Sequence, residues 1–475
     1  MATGVEHLGR FAARASFGDL SAAAVGELKI RVLDALGCAI GALDGEPIGM
    51  IRAHLADFGG APRCSIIAGG PGLSDDTGRL VGGSGRTSPD RAAFYNGALV
   101  RYLDFNDSYL APGETCHPSD NVAPVLAAAE YAEASGKDFL AALAVAYQVQ
   151  CRLSDVAPVR ARGFDHTTQG AYAAAAGVAR ALGLDPERTA HAVAISGTAY
   201  NALRVTRTGT LSHWKGLAFP NAAFGAVHAA FLAMRGITGP LEVFEGDKGF
   251  MDAIAGPFEI DWEGEDLERV RRTILKRYNA EVHSQSAVEG ILQLQAAHGF
   301  AADDVERIEI DVFDVAFNII GGGEEGAKMG VRTKEEADHS LPYIVSAAVL
   351  DGTVMPGQYA PERIVRDDIQ TLHRKVTIRP NAEYSRRFPG EMPCRIVVHL
   401  ADGRVVETEK RDYEGFTTRP MTWDRALAKF HRLAGSYADG GLRREIADAV
   451  ANVDAIPTSD LARLLAGVPE PTRGT

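Results

Sequence analysis

Paired cysteines are missing from this chain. The five present, Cys38, Cys64, Cys116, Cys151 and Cys394, include no CxxC spacing. An odd number at irregular intervals excludes a disulfide framework, a zinc ribbon and a ferredoxin-type cluster run. It predicts reduced thiols in a cytoplasmic protein. Basic excess is missing as well: 49 Lys and Arg face 62 Asp and Glu, a formal charge of −13. A surface of that sign repels phosphate backbones and excludes general nucleic-acid binding. The first thirty residues lack a compact apolar stretch and carry Glu6, Asp19 and Glu27, so no secretory signal is expected. One uncharged run, 216–234, reaches bilayer length. It is rich in Ala and Gly, contains Pro220, Asn221 and His228, and stands alone, which reads as a buried core helix and no membrane partner. There is no GxSxG elbow and no HExxH pair. "GGSGRTS" at 82–88 lacks the last Gly of a dinucleotide fingerprint and the Lys of a phosphate loop.

What is present is a 475-residue chain, 46% hydrophobic, long enough for two or three domains and for a core that needs no metal to fold. Apolar residues at three- and four-residue steps predict a helix over 20–57. Ser88 as N-cap and Pro89 at the first position predict a second, to about Leu103. Helices ending at Gly136 and Gly183, the latter followed by an Asp185-Pro186 restart, follow the grammar of antiparallel helical hairpins. The pattern changes near 305, where "VERIEIDVF" and "HRKVTIRP" alternate and "CRIVVHLADGRVVETEK" has a hairpin turn at Asp402-Gly403. From Trp423 the period is helical again. The expected fold is mainly α. A large all-helical domain is formed by both chain ends, 1–266 and 411–475, with a smaller α+β lid domain inserted at 267–410.

Acid is absent from one long stretch. Between Glu187 and Glu242 lie 54 residues without an Asp or Glu, where the chain average would place about seven. Five cations remain: Arg188, Arg204, Arg207, Lys215 and Arg235. Losing one sign only suggests a local positive field that attracts an anionic ligand, with Arg204, Arg207 and Lys215 around "TRTGTLSHWKG" as its contributors. An Ala-rich core helix pair with arginines at its ends is the plainer reading. A second cluster, "RYLDFNDSYLAPGETCHPSDN", gathers Asp104, Asp107, Ser108, His117 and Asp120. Carboxylates near an imidazole suit proton transfer, although Asp and Ser are also routine turn and cap residues. "RGFDHTTQG" sets His166 at a helix start, where it serves either an anion or the fold. "LKRYNAEVHSQS" carries Lys276 and His283, with a solvated lysine as the plainer alternative. "DHSLPYIVSAAVLDG" holds Asp338, His339 and Tyr343, the tyrosine as readily core as catalytic.

These five motifs, taken in chain order and at their spacing over about 7–460, resemble the MmgE/PrpD family. That family includes 2-methylcitrate dehydratase, cis-aconitate decarboxylase and an iminodisuccinate epimerase. The "HPSDN", "SHWKG" and "HSQSAVE" forms look more like the dehydratase branch. The resemblance implies a homodimer without metal or organic cofactor, acting on a small di- or tricarboxylate. Its active-site pattern falls on Asp104, Ser108, His117, His166, Lys215, Lys276 and Tyr343, with Ser108 where the family often has Thr. The implied roles are Asp104 and His117 as acid and base, and Tyr343 on the leaving oxygen. Ser108, His166, Lys215 and Lys276, with Arg204 and Arg207 from the charge gap, would bind substrate. The expected reaction is dehydration of 2-methylcitrate or a citrate-like acid. Epimerisation or decarboxylation of a related acid, and carboxylate binding without turnover, are the alternatives.

Overall fold

The structure is a computed structural model that describes residues 2–70, 85–325 and 328–471. Most of the Gly-rich stretch at 68–88, which includes the first half of "GGSGRTS", and residues 472–475 lie outside the described residues. The chain forms two compact units. The first comprises Met1–Thr206, Gly216–Thr273 and Thr422–Thr475; the second comprises Arg207–Lys215 and Ile274–Met421.

The first unit is helical. Its helices are α1 (Gly4–Arg14), α2 (Ala22–Gly41), α3 (Glu46–Phe58), α4 (Pro89–Tyr102), α5 (Val122–Tyr131), α6 (Gly136–Val156), α7 (Thr167–Ala181) and α8 (Pro186–Ala199). The helix expected over 20–57 is thus two helices, broken before Glu46 where Gly45 and Pro47 start a new one. Ser88 does stand at the N-cap of α4, but its side chain accepts no helix amide; the hydroxyl donates to Asp90. Asp185 caps α8 by accepting from Arg188 N at 2.8 Å. Helix α6 is buried on nearly every side, from Phe139 through Ser154. Its close neighbours are glycine-dependent. A Cβ on Gly177 of α7 would lie 2.8 Å from Ala146 Cβ, and one on Gly197 of α8 would lie 1.9 Å from the Tyr172 ring. Small residues let these backbones approach until Leu, Val and aromatic side chains are sealed from water, each worth about 1.5–3 kcal/mol.

The apolar run forms α9 (Trp214–Met234). Among the described residues it is the one helix long and apolar enough to cross a membrane, and 61% of its apolar window is buried inside the fold. Ala222, Ala223, Ala226, Val227, Ala230 and Ala233 supply that buried face, so α9 is a core helix. The return segment adds α12 (Trp423–Ala434), whose Phe430 backbone would meet a Cβ on Gly37 of α2 at 3.2 Å.

Two short ladders interrupt the helices. One pairs Cys64–Ser65 with Arg86–Thr87. The other is a hairpin of β1 (Tyr109–Ala111) and β2 (Glu114–Cys116). Its Pro112-Gly113 turn, with Gly113 at φ 79°, has the residue order of a type II turn.

The second unit is α+β. Its sheet runs β4 (Val376–Pro380), β3 (Val305–Val312), β5 (Cys394–Leu400), β6 (Val405–Lys410). Strands β3 and β4 are parallel, the other pairs antiparallel. The turn between β5 and β6 holds Gly403 at φ 88°, at the position expected from Asp402-Gly403. Helices α10 (Gln285–His298) and α11 (Leu341–Asp351) belong to the same unit. The segment 334–351 holds two helices: Lys334–Ala337 stops, and Ser340 caps α11. Asp338 and His339 fall in the gap between them. The fold class is therefore a helical unit assembled from both chain ends and interrupted by a smaller α+β unit.

Candidate active site

In the first unit the hairpin does the positioning. Its register pairs Tyr109 with Cys116, so the flanking Ser108 and His117 face each other. Ser108 Oγ lies 3.1 Å from His117 Nδ1, and the Asp107 carbonyl lies 2.8 Å from the same nitrogen. A carbonyl oxygen only accepts, so Nδ1 carries the proton. The basic lone pair of the neutral ring is then on Nε2. The His166 ring meets His117 edge-on, with centroids 5.2 Å apart. His166 precedes α7, with Nδ1 3.3 Å from Asp165 Oδ1, and Arg204 lies 3.7 Å from the other Asp165 oxygen. Ser108, His117 and His166 are all buried.

Asp104 follows α4 in the left-handed region at φ 54°, a conformation that costs a non-glycine residue on the order of 1 kcal/mol or more. Its surroundings hold it there. Arg101 donates to its carboxylate at 2.6 Å, its own amide donates to Arg101 O at 3.0 Å, and the next carbonyl, that of Phe105, accepts from Lys429 at 2.8 Å. Asn106 spans to Ser119 and Asp120 at 2.9 and 2.8 Å, tying the loop to the turn that carries His117.

In the second unit the charged groups centre on Asp338. Lys215 Nζ and His339 Nδ1 both donate to its Oδ1, at 2.8 and 2.7 Å, and Lys334 reaches Oδ2 at 2.7 Å. Burial works to raise the Asp338 pKa, but Lys215, Lys334 and His339 outweigh it and hold the carboxyl far below the ordinary range. Glu281 receives His283 Nδ1–H at 2.6 Å. Burial raises its pKa too, but His283, His339 and Lys276 bring it down to about 2. Lys276 is fully buried, which removes the solvated alternative for it. Arg207, at the end of the Arg204–Arg207 turn, is buried as well. A cavity of about 320 Å³ opens beside His339, lined also by Thr210, Leu211, Lys328, Val331 and Glu336. Burial lowers the pKa of Lys328.

The structure thus brings together Ser108, His117 and His166, with Arg204 behind Asp165, in the first unit. It sets Asp104 on Arg101 nearby in the chain. In the second unit Lys215 and Lys276 belong to the Asp338–Glu281 set. Tyr343 does not join that set. Its hydroxyl donates to the Gln358 carbonyl, and burial raises its pKa, with Arg363, Asp351 and Asp368 as its charged surroundings. The acid-free stretch is not a bare positive field: Arg204 meets Asp165, Lys215 meets Asp338, and Arg188 meets Asp185 at 3.1 Å. Sequence reasoning passed over Arg101, Asp165, Glu281 and the roles of Asp338 and His339. A signal was available for the last two. With Ser340 already the cap of α11, the Asp-His pair ahead of it has no capping duty left.

Comparison with known proteins gives a consistent result. Residues 6–263 match the MmgE/PrpD N-terminal domain and residues 278–455 match the MmgE/PrpD C-terminal domain. A 2-methylcitrate dehydratase of Salmonella typhimurium is 30% identical over 410 residues, which is 78% of this chain and 77% of that protein. An alkylcitrate dehydratase of a fungal species is 29% identical, over 89% of this chain and 86% of that protein. A cis-aconitate decarboxylase of Mus musculus is 26% identical, over 80% and 79%.

Proposed function

Because the chain belongs to the MmgE/PrpD family in both of its matched regions, we propose that it is a hydro-lyase. It removes water from 2-methylcitrate or a related citrate-like polycarboxylate by acid–base elimination. The observation that carries this reading is the imidazole of His117, whose Nδ1 is held by a backbone carbonyl so that Nε2 is the working nitrogen. Elimination needs one group to take the proton next to a carboxylate and another to protonate the departing hydroxyl. His117 and Asp104 supply these two roles. Arg204, Arg207, His166, Lys215 and Lys276 pair with substrate carboxylates, and that pairing stabilises the carbanion-like transition state. Ser108 orients His117 and offers a hydroxyl to the substrate. Tyr343 has a packing role in this reading, since its hydroxyl is committed to Gln358.

The names of the relatives support a carboxylic-acid substrate, two being dehydratases of substituted citrates. Decarboxylation of a related acid is the second reading, favoured by the match to a cis-aconitate decarboxylase; epimerisation stands beside it. One experiment separates them. The protein is incubated in D₂O with 2-methylcitrate, citrate, cis-aconitate and iminodisuccinate in turn and followed by proton NMR. Water loss from 2-methylcitrate supports the proposal. Carbon dioxide loss, or deuterium incorporation without net loss, transfers the assignment to one of the alternatives. Inertness toward all four, with binding seen by calorimetry, leaves a carboxylate-binding protein and ends the enzymatic reading.

A further inference from the structure

Behind His117 lies a buried array that the proposed reaction leaves unexplained. Asp107 is fully buried, yet its carboxylate points into the helical core rather than toward any substrate-binding cation named above. Oδ1 accepts from Ser119 N at 2.9 Å, and Oδ2 accepts from the hydroxyl of Tyr147, on α6, at 2.9 Å. Tyr147 is itself fully buried. The Asp107 backbone carbonyl is the group that receives His117 Nδ1–H. A core acid held at both oxygens therefore fixes the peptide that fixes the imidazole. Burial costs such a carboxylate several kcal/mol, more than two neutral hydrogen bonds return, so the fold alone gives little reason to keep it.

We propose that Asp107 and Tyr147 are positioning residues that set the tautomer and direction of His117, an inference that rests on the acid–base reading of that histidine. The geometry is a relay of rigid parts. Helix α6 holds the Tyr147 ring, the ring holds the Asp107 carboxylate, and the Asp107 peptide holds Nδ1–H. Fixing Nδ1–H presents the Nε2 lone pair in one direction, and ring orientation is what a general base needs before its basicity counts. Other charged groups of the first unit also act on His117. His166 is edge-on to it, with Asp165 and Arg204 behind. Arg101 in the last turn of α4, Asp104 just after it and Asp120 in the turn after His117 are near it in the chain, and Arg31 acts on Asp107 itself. None of these contacts changes when Tyr147 loses only its hydroxyl.

The test uses the full chain labelled with ¹⁵N-histidine, with His117 assigned by difference against His117→Gln. The wild type is expected to show the neutral ring as the Nδ1–H form. Tyr147→Phe is expected to move both ring nitrogens toward the positions of mixed tautomers. Asp107→Asn keeps an acceptor for Ser119 N–H and preserves the tautomer. It is expected to shift the His117 ring nitrogens less than Tyr147→Phe does, because the Ser119 N–H remains to hold the side chain. Either movement supports the proposal. A wild-type ring in the Nε2–H form, or spectra unmoved in both variants, overturns it. In 2-methylcitrate turnover, Tyr147→Phe is expected to lower kcat by about tenfold with KM within about twofold, the mark of an effect exerted through the transition state. Undiminished turnover in His117→Gln would sink the reading of the site, while the NMR result would still decide the positioning role.

Discussion

At the scale of single residues, the assignments divide by what each side chain would leave behind. His117→Ala removes one buried ring beside the hairpin, and circular dichroism should match the wild type. Turnover should fall by about 10²-fold or more. Lys215→Ala should lose activity to a similar degree and still fold, because Lys334 continues to pair Asp338 at 2.7 Å. Wild-type turnover in both variants would remove this site. Glu281 makes a separate prediction about acid. Its folded pKa of about 2 lies below the ordinary 4.5. The stability it contributes is therefore complete above about pH 4.5 and drains away as pH falls toward 2. Glu281→Gln should have a lower melting temperature than the wild type at neutral pH but a flatter decline between pH 4.5 and 2. Parallel declines would contradict the pairing. Of these groups, His117, Lys215 and Lys276 were legible in the sequence as members of recognisable motifs. Asp338 stood in a quoted motif without a role, and Glu281 was passed over inside the motif that carries Lys276. His283 beside Glu281, and Lys334 and His339 beside Asp338, are near neighbours in the chain, whereas Lys215 reaches Asp338 from 123 residues away and that pairing could not be read locally.

Among the elements, the β1–β2 hairpin and α12 matter most. The sequence shows α2 because apolar residues repeat over several turns, and α7 and α8 were visible from the Gly183 stop and the Asp185-Pro186 restart between them. The hairpin has three residues per strand, too few for alternation to stand out, so its Pro112-Gly113 turn read as a loop. Yet this small ladder is what sets Ser108 opposite His117. Helix α12 acts at a distance. Its Lys429 is buried, pairs with Asp34 at 2.7 Å, donates to Phe105 O and lies 3.7 Å from the centre of the Phe105 ring. Lys429→Met should take the 2.7 Å cation from the buried Asp34 and cost about 3–5 kcal/mol. Urea denaturation measures this, and Lys429→Met with Asp34→Asn should recover much of the loss. A Lys429→Met change within about 0.5 kcal/mol of the wild type would show that the pair carries no net energy.

For the whole molecule, the two-part plan was legible: helical ends around an α+β insert. The inclusion of 207–215 in the second unit was not: its polar, Ala-free composition marks a loop between Ala-rich helices but does not say which unit the loop joins. At this scale the proposal also concerns what the reaction requires. Asp338 is occupied by two lysines and an imidazole. Chelator-treated protein should therefore keep its turnover, measured after dialysis against EDTA; loss restored by a divalent ion would refute the protein-only mechanism. The Lys429 contact also bears on biosynthesis. The loop with Asp104 leaves the ribosome early, whereas the lysine that clamps it is 324 residues further along the message. Until Lys429 has been made the Phe105 carbonyl lacks this clamp, so a chain cut short between the two keeps the loop's residues and loses the contact that holds them.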